Sequence, residues 1–217
     1  MNITIDENIK NITNDFYIGV LECNVLVYNE LTVGEIINEL EDDIMNNIKI
    51  NDVINLENII DGRNAYKKYG KDPSRYRLAV ESLYRRISKG NKLYRINNIV
   101  DIGNIISIKT KKSVAVLDYF KIQGDIKIRL GLKSDEFYGI GRGRINIDSV
   151  PLYEDSIGPF GSTTSDTERT MITNETSKIL LFIISFSGIQ NLEKELDEAI
   201  NLYRKYGKGS KFSKYIL

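Results

Sequence analysis

The chain has 217 residues, and its 30 lysines and arginines equal its 30 aspartates and glutamates, so the formal net charge is zero. It contains no histidine, which excludes a Ser-His-Asp triad, an imidazole general base and a histidine-based metal site. A single cysteine, Cys23, excludes a disulfide within the chain and a cysteine-cluster zinc site. We therefore expect no metal and no cofactor.

The composition is typical of a soluble globular protein. Hydrophobic residues make up 41% and charged residues 28%, and the length is sufficient to bury a proper core. The N-terminus lacks the basic and then apolar segments of a signal peptide. The most apolar run, 179–186, is far shorter than the roughly 20 residues of a membrane-spanning helix. We expect a cytoplasmic protein without membrane contact.

In chain order, the first predicted elements are a strand and two helices. Residues 16–27 are dense in β-branched and aromatic side chains, which is typical of a strand. Thr32, with Glu35 three residues later, resembles a capping box and predicts a helix over 33–46. A second helix is predicted over 53–69.

The middle of the chain predicts two further helices. A turn at 72–74 precedes a helix over 78–88, and 97–110 carries isoleucines at helical spacing. Beyond residue 112 the period changes, because short β-branched or aromatic runs are separated by glycine-bearing turns. These runs predict strands over 113–117, 125–130, 137–140 and 178–186. An amphipathic helix over 192–206 follows them.

This order of elements predicts the α+β fold class, as a single domain of mixed β-sheets with flanking helices. The domain is expected to cover 1–217. We expect an N-terminal strand and helices in 1–65, the core in 66–190, and a C-terminal helix with a basic tail in 191–217.

The zero net charge conceals a strong segregation of charge along the chain. Residues 1–61 carry 13 acidic and two basic side chains, residues 62–95 carry 11 basic and two acidic ones, and residues 203–217 carry five basic ones and no acid. A segregated basic surface attracts a polyanion, because the field is local over a Debye length of about 8–10 Å. We interpret it as a phosphate-contacting surface. A solvated helix face, balanced in space by the acidic N-terminal segment, is the alternative. The candidate RNA-binding residues are Lys67, Lys68, Arg75, Arg77, Arg85, Arg86, Lys89, Arg95, Arg142 and Arg144.

A first polar segment lies at the start of the helix predicted over 97–110. Asn97, Asp101 and Asn104 fall at i, i+4 and i+7 and share one helix face. Such a row can bind the hydroxyl and ammonium groups of a ligand. It can equally cap the helix and bridge buried backbone, with Asn97 as the N-cap.

Two glycine-containing segments are the other candidates. The sequence Gly-Ile-Gly-Arg-Gly-Arg at 139–144 allows close backbone approach and offers arginines to phosphate, although a simple hairpin turn is the alternative. Residues 154–170 are rich in hydroxyl groups and predict a long irregular loop, which is either functional or disordered. Ser162, Ser165 and Thr170 can hydrogen-bond a ligand there, but without histidine none has the usual base of a nucleophile.

Four stretches resemble the B3/B4 domain of the phenylalanyl-tRNA synthetase β subunit, in the form of a small separate protein. They read DPSRYRLAVESLYRR, LYRINNIVDIGN, KIQGDIKIRLG and GPFGSTTSDTERTMITNET. The second stretch is the most specific, and the resemblance covers 66–186 closely. It implies an α+β fold shared with a domain of tRNA lysidine synthetase. In the synthetase this domain hosts a site that hydrolyses tRNA wrongly charged with tyrosine.

The resemblance also implies substrate-binding positions. Glu168 falls at the acidic residue that reads the tyrosine phenol, and Gly158 falls at the loop glycine before the pocket wall. Bacterial synthetases carry Leu-His-Ala-Phe-Asp where this chain has 114–118, so Ala115 replaces a pocket histidine. The implied substrate-binding residues are Asn97, Asn98, Asp101, Asn104, Gly158, Gly161, Ser162 and Glu168.

The resemblance implies a tRNA-binding protein whose partner is tRNA or aminoacyl-tRNA. We interpret it as a trans-acting deacylase that hydrolyses mischarged tRNA, with water activated by the ribose hydroxyl of the substrate and no side chain assigned as general base. The chain lacks a synthetase catalytic core, so no aminoacylation is expected. The alternative is a non-catalytic module or partner subunit that binds RNA or a free amino acid.

Overall fold

The computed structural model describes residues 1–28 and 33–217. Thr32, the predicted N-cap, lies outside the described residues. The helices are α1 (Glu7–Ile12), α2 (Gly34–Asn47), α3 (Ile59–Lys68), α4 (Ala79–Ile87), α5 (Asn98–Thr110) and α6 (Leu192–Tyr206). The strands are β1 (Ile3–Ile5), β2 (Tyr17–Asn24), β3 (Ser113–Asp118), β4 (Ile126–Leu130), β5 (Tyr138–Gly139), β6 (Gly143–Arg144), β7 (Pro151–Glu154), β8 (Pro159–Ser162), β9 (Lys178–Ser185) and β10 (Ser210–Ile216).

The strands form two four-stranded sheets and one small hairpin. The central sheet has the order β10-β2-β9-β3 and is antiparallel throughout. The second sheet has the order β1-β4-β7-β8, in which only the β1–β4 pair is parallel. The hairpin consists of β5 and β6. These sheets and helices confirm the predicted α+β class.

Both faces of the central sheet are covered. On one face Gly19 of β2 lies so close to α6 that a Cβ would be 3.3 Å from Leu192 and from Leu196. On the other face the ring of Phe182 in β9 meets the ring of Tyr153 in the second sheet, with centroids 5.1 Å apart. Strand β9 is therefore buried on both sides, which is why its sequence is a continuous apolar run rather than an alternating one.

Three sequence predictions differ from the structure. The helix predicted over 53–69 is interrupted, because Asn58 has a φ of 62° and separates a single 3-10 turn from α3. The loop predicted over 154–170 contains β8 and a 3-10 turn at Glu168–Thr170. The segment predicted as a C-terminal basic tail contains a strand that was not predicted, because β10 pairs with the edge of β2. No element was predicted at β1, α1, β6 or β7 either.

Candidate functional site

A small pocket lies where α5, β3 and the segment after β8 meet. Its volume is about 230 Å³. Strand β3 is an edge strand of the central sheet, so this side of it is free for the pocket. The described residues that line the pocket are Ile96, Val100, Gly103, Asn104, Val114, Val116, Ile140, Asp166, Met171 and Ile172.

Strand alternation decides which residues of β3 reach the pocket. Val114 and Val116 line it, and α5 comes close because Gly103 has no side chain; a Cβ there would lie 2.4 Å from Val116. Ala115 is 2% exposed and points to the opposite face, towards the second sheet. The position that the resemblance assigns to a pocket histidine is therefore not part of this pocket wall.

Asp166 is the charged residue of the pocket wall. Its main chain is held in place, because the Asp166 carbonyl accepts a hydrogen bond from the Ile140 amide at 3.0 Å and a β-bridge joins Asp166 to Gly161. Part of the residue reaches the surface, yet its Oδ1 atom is buried and has no hydrogen-bond partner. Burial raises the pKa of Asp166 to about 7, since a low-dielectric environment disfavours the carboxylate.

A buried tyrosine hydroxyl accompanies this carboxyl. The hydroxyl of Tyr153 is also buried without a hydrogen-bond partner. Burial raises the pKa of Tyr153 well above its ordinary value, and the charge of Asp166 adds to this effect. Gly161 leaves the space that both groups occupy, because a Cβ there would be 2.7 Å from Asp166 Oδ1 and 2.7 Å from Tyr153 Cδ2. The predicted substrate-binding glycine thus makes room for a carboxyl that sequence reasoning did not single out.

The first two residues of the asparagine block support the structure around α5. Asn97 is the N-cap, and its Oδ1 accepts hydrogen bonds from the amides of Ile99 and Val100 at 3.1 and 2.9 Å. Asn98 is 1% exposed and uses its whole amide group on the main chain. Its Oδ1 accepts from the amide of Tyr28 at 2.9 Å, and its Nδ2 donates to the carbonyls of Leu26 and Tyr206 at 3.0 Å each.

Asp101 has a similar local role, and only Asn104 of the predicted row reaches the pocket. Asp101 is buried and accepts a hydrogen bond from the amide of Ile96 at 3.1 Å. Burial raises its pKa. Asn104 is half-buried on the pocket wall. The three residues do share one helix face, but two of them face backbone groups rather than the cavity.

Glu168 lies in a second, more open pocket of about 500 Å³. Gly139 and Thr167, which form an antiparallel β-bridge, are part of the wall of this second pocket. The side chain of Glu168 is exposed at the same wall. Gly158 has a φ of 138°, and its carbonyl accepts a hydrogen bond from Arg169 at 3.1 Å. Ser162 closes its own turn, because its hydroxyl donates to the carbonyl of Ser165. The structure does not bring these three residues together with Asp166 in one cavity.

The predicted RNA-binding residues divide into exposed and engaged groups. Arg85 lies 2.7 Å from the buried Glu81, and Arg95 lies 3.0 Å from the buried Glu41. Arg86 is half-buried and donates to the carbonyl of Lys92 at 2.7 Å. Arg95 thus pairs with an acid of the N-terminal segment, as the alternative expects, whereas Arg85 pairs with an acid of its own helix. The exposed members of the set are Lys67, Lys68, Arg75, Arg77, Lys89, Arg142 and Arg144.

Sequence reasoning named Asp155–Thr170 as a polar segment but could not select Asp166 within it. Asp155 and Glu168 are acids of the same segment, and nothing in the residue types distinguishes the three.

Within residues 1–28 and 33–217, no helix is long and apolar enough to cross a membrane. The same ranges hold no group of three or more cysteine, aspartate or glutamate side chains arranged for a metal ion.

The protein is an α+β domain. It has two stacked sheets, with helices on the outer face of the central sheet, and its pocket lies at the edge of that sheet. The model of the B3/4 domain matches residues 61–214, and the chain belongs to this family. No curated protein matches the chain.

The structure is also similar to a solved one. It matches the crystal structure of an N-terminal fragment of the phenylalanyl-tRNA synthetase β subunit from Pyrococcus horikoshii, with a TM-score of 0.51 and 12% identity. The match covers 99% of this chain and 53% of that chain, so this protein spans about half of the fragment. At this identity the similarity shows a shared fold.

Proposed function

We propose that this protein binds aminoacyl-tRNA and hydrolyses the ester that joins a wrong amino acid to the terminal ribose. One observation carries the proposal: the hairpin of β5 and β6 contributes to the wall of a pocket of amino-acid size and also carries exposed arginines. Ile140 forms part of the pocket wall, while Arg142 and Arg144 project from the same hairpin into solvent. Membership of the B3/4 family and the fold shared with a synthetase subunit support a tRNA-related role.

The proposed reaction asks little of the protein beyond positioning. Water adds to the ester carbonyl carbon, the bond from this carbon to the ribose oxygen breaks, and the ribose oxygen takes the proton that the water gives up. The amino acid leaves as its free acid. The aminoacyl ester is already activated, so the protein can accelerate its hydrolysis mainly by holding the ribose and one water molecule in the correct orientation. The neighbouring ribose hydroxyl directs that water, in keeping with a chain that contains no histidine.

The exposed basic residues contribute affinity without sequence preference. Lysine and arginine contacts to phosphates release counterions, so binding weakens as the salt concentration rises. The hairpin between β5 and β6 suits such contacts, because Gly141 and Gly143 have φ values of 63° and 68° and open space where side chains would be. A phosphate backbone can therefore approach this turn closely.

The test is a panel of aminoacyl-tRNAs, each labelled on its amino acid, incubated with the purified protein. We expect at least one pair to lose its ester faster than the uncatalysed background. Binding of tRNA with no acceleration for any pair would reject the deacylase and favour the non-catalytic binding module. A preparation that neither binds nor hydrolyses any pair would reject both.

A further inference from the structure

We propose that the pocket beside β3 holds an amino acid with an aliphatic side chain and that the carboxylate of Asp166 receives its α-ammonium group. This inference rests on the proposed function, because it names the substrate class of the same site. It does not follow from the resemblance, which implies a tyrosine-reading site.

The pocket walls select an aliphatic group. Val100, Val114, Val116 and Ile172 contribute apolar surface from three different segments, and none of the ten described lining residues is aromatic. The volume of about 230 Å³ is below the range of roughly 300–1,000 Å³ that drug-sized ligands occupy. An aliphatic amino acid is small enough for such a space, and each methylene it buries should raise its affinity about fourfold.

Asp166 supplies the polar anchor. It is the one charged side chain among the described lining residues, and its Oδ1 atom is buried without a partner. The carboxylate has a main-chain hydrogen bond from Ser162 but no basic partner, and an ammonium group at the part of the residue that reaches the pocket surface provides both a donor and the opposite charge. An apolar wall with a single acid is the complement of an α-ammonium group attached to an aliphatic chain.

The same arrangement disfavours tyrosine. Glu168, at the position that the resemblance assigns to the phenol reader, is exposed and lines the other, more open pocket. A phenol hydroxyl placed among the valines would lose its bonds to water without replacement. Asn104 is the remaining polar side chain on the wall, and it lies at the α5 side.

The methionines provide a direct reporter of binding. The chain has three, and Met171 lies on the pocket wall while Met45 lies on α2, outside the lining residues. Protein labelled with ¹³C at the methionine methyl groups is titrated with L-isoleucinamide, whose uncharged carbonyl resembles an ester. We expect a saturable shift of the Met171 signal with the Met45 signal unchanged. Met171→Leu assigns the signal.

Two comparisons separate the parts of the proposal. L-Tyrosinamide tests the walls and should bind at least tenfold more weakly than L-isoleucinamide. 3-Methylpentanamide lacks only the ammonium group and should bind about tenfold more weakly to the native protein. Asp166→Asn should reduce isoleucinamide affinity by the same factor and leave 3-methylpentanamide unaffected. Glu175→Gln, which changes an exposed acid outside the lining residues, serves as the control that changes neither.

Equal binding of the tyrosine and isoleucine amides would overturn the aliphatic assignment. An unchanged isoleucinamide affinity in Asp166→Asn, with ester hydrolysis slowed only in kcat, would overturn the ammonium assignment. The amide titrations contain no tRNA, so their failure is distinct from that of the proposed function. Hydrolysis of a tyrosyl ester alone would reject this inference and keep the deacylase, whereas amide binding without any ester hydrolysis would do the reverse.

Discussion

Replacing Asp166 by asparagine should stabilise the ligand-free protein at neutral and alkaline pH. The carboxylate form is the one that burial penalises, and asparagine keeps nearly the same shape without ever becoming charged. Burial raises the pKa of Asp166 from 3.8 to about 7. This difference corresponds to about 4 kcal/mol between the two protonation states, which we take as an upper bound for the gain.

The pH dependence has a defined sign. Below about pH 4 the carboxyl group is protonated in both the folded and the unfolded chain, so its burial makes no charge-dependent contribution to the free energy of unfolding. Between pH 4 and pH 7 the unfolded chain releases the proton while the folded one keeps it. The free energy of unfolding therefore falls by up to about 1.4 kcal/mol for each pH unit in this window, and the loss levels off above pH 7.

The measurement is urea unfolding of the native protein and of Asp166→Asn at intervals from pH 4 to pH 9. The difference in unfolding free energy should grow in favour of the variant across pH 4 to 7 and then stay constant. Glu168→Gln is the control, because it changes an exposed acid of the same segment and should follow the native curve. A difference between Asp166→Asn and the native protein that does not vary with pH would refute the reasoning.

Four further predictions concern other residues of the protein. Asn98→Ala should lower the unfolding free energy by roughly 2–4 kcal/mol in urea, because the amide of Tyr28 and the carbonyl of Leu26 lose their side-chain partner, while the carbonyl of Tyr206 keeps the Tyr28 hydroxyl. Ala115→His should cost about 1–3 kcal/mol and give no faster ester hydrolysis, since this buried position faces away from the pocket. Arg142→Glu with Arg144→Glu should weaken the binding of different tRNAs alike and reduce the salt slope by roughly 0.9 per lost contact. Arg85→Glu should instead lower stability in urea, because Arg85 neutralises a buried acid.

Elements with a clear apolar period were predictable from the sequence. Helix α6 was predicted over 192–206 and occurs there, and α5 begins one residue after the predicted start because Asn97 is its cap. Strand β9 was recognisable because a strand covered on both faces is apolar at every position. In these segments burial alone determines the pattern of residues.

Strand β10 was not predictable because its partner determines it. Its exposed positions include Ser210, Lys211 and Ser213, and its apolar residues, Phe212, Tyr215 and Ile216, are only half-buried and do not alternate strictly. It becomes a strand because β2 offers a free edge: the amide of Ile18 donates to the carbonyl of Leu217 at 3.1 Å, and the amide of Leu217 donates back at 3.0 Å. Main-chain pairing of this kind leaves no signature in residue type.

The candidate site shows the same limit, since the acids of one segment look alike until their surroundings are known. Asp155 is buried, and although burial opposes the effect, its hydrogen bonds with Arg169 lower its pKa. Glu41 and Glu81 are likewise completely buried, and each contacts an arginine at 3.0 Å or less. Asp166 has no such partner for its buried Oδ1, although an arginine would have offset part of the cost of burial. Two further buried acids, Asp101 and Asp118, have no arginine but accept hydrogen bonds from the amides of Ile96 and Phe120. The buried Oδ1 of Asp166 has neither kind of partner, and a cationic ligand group in the pocket would supply the opposite charge.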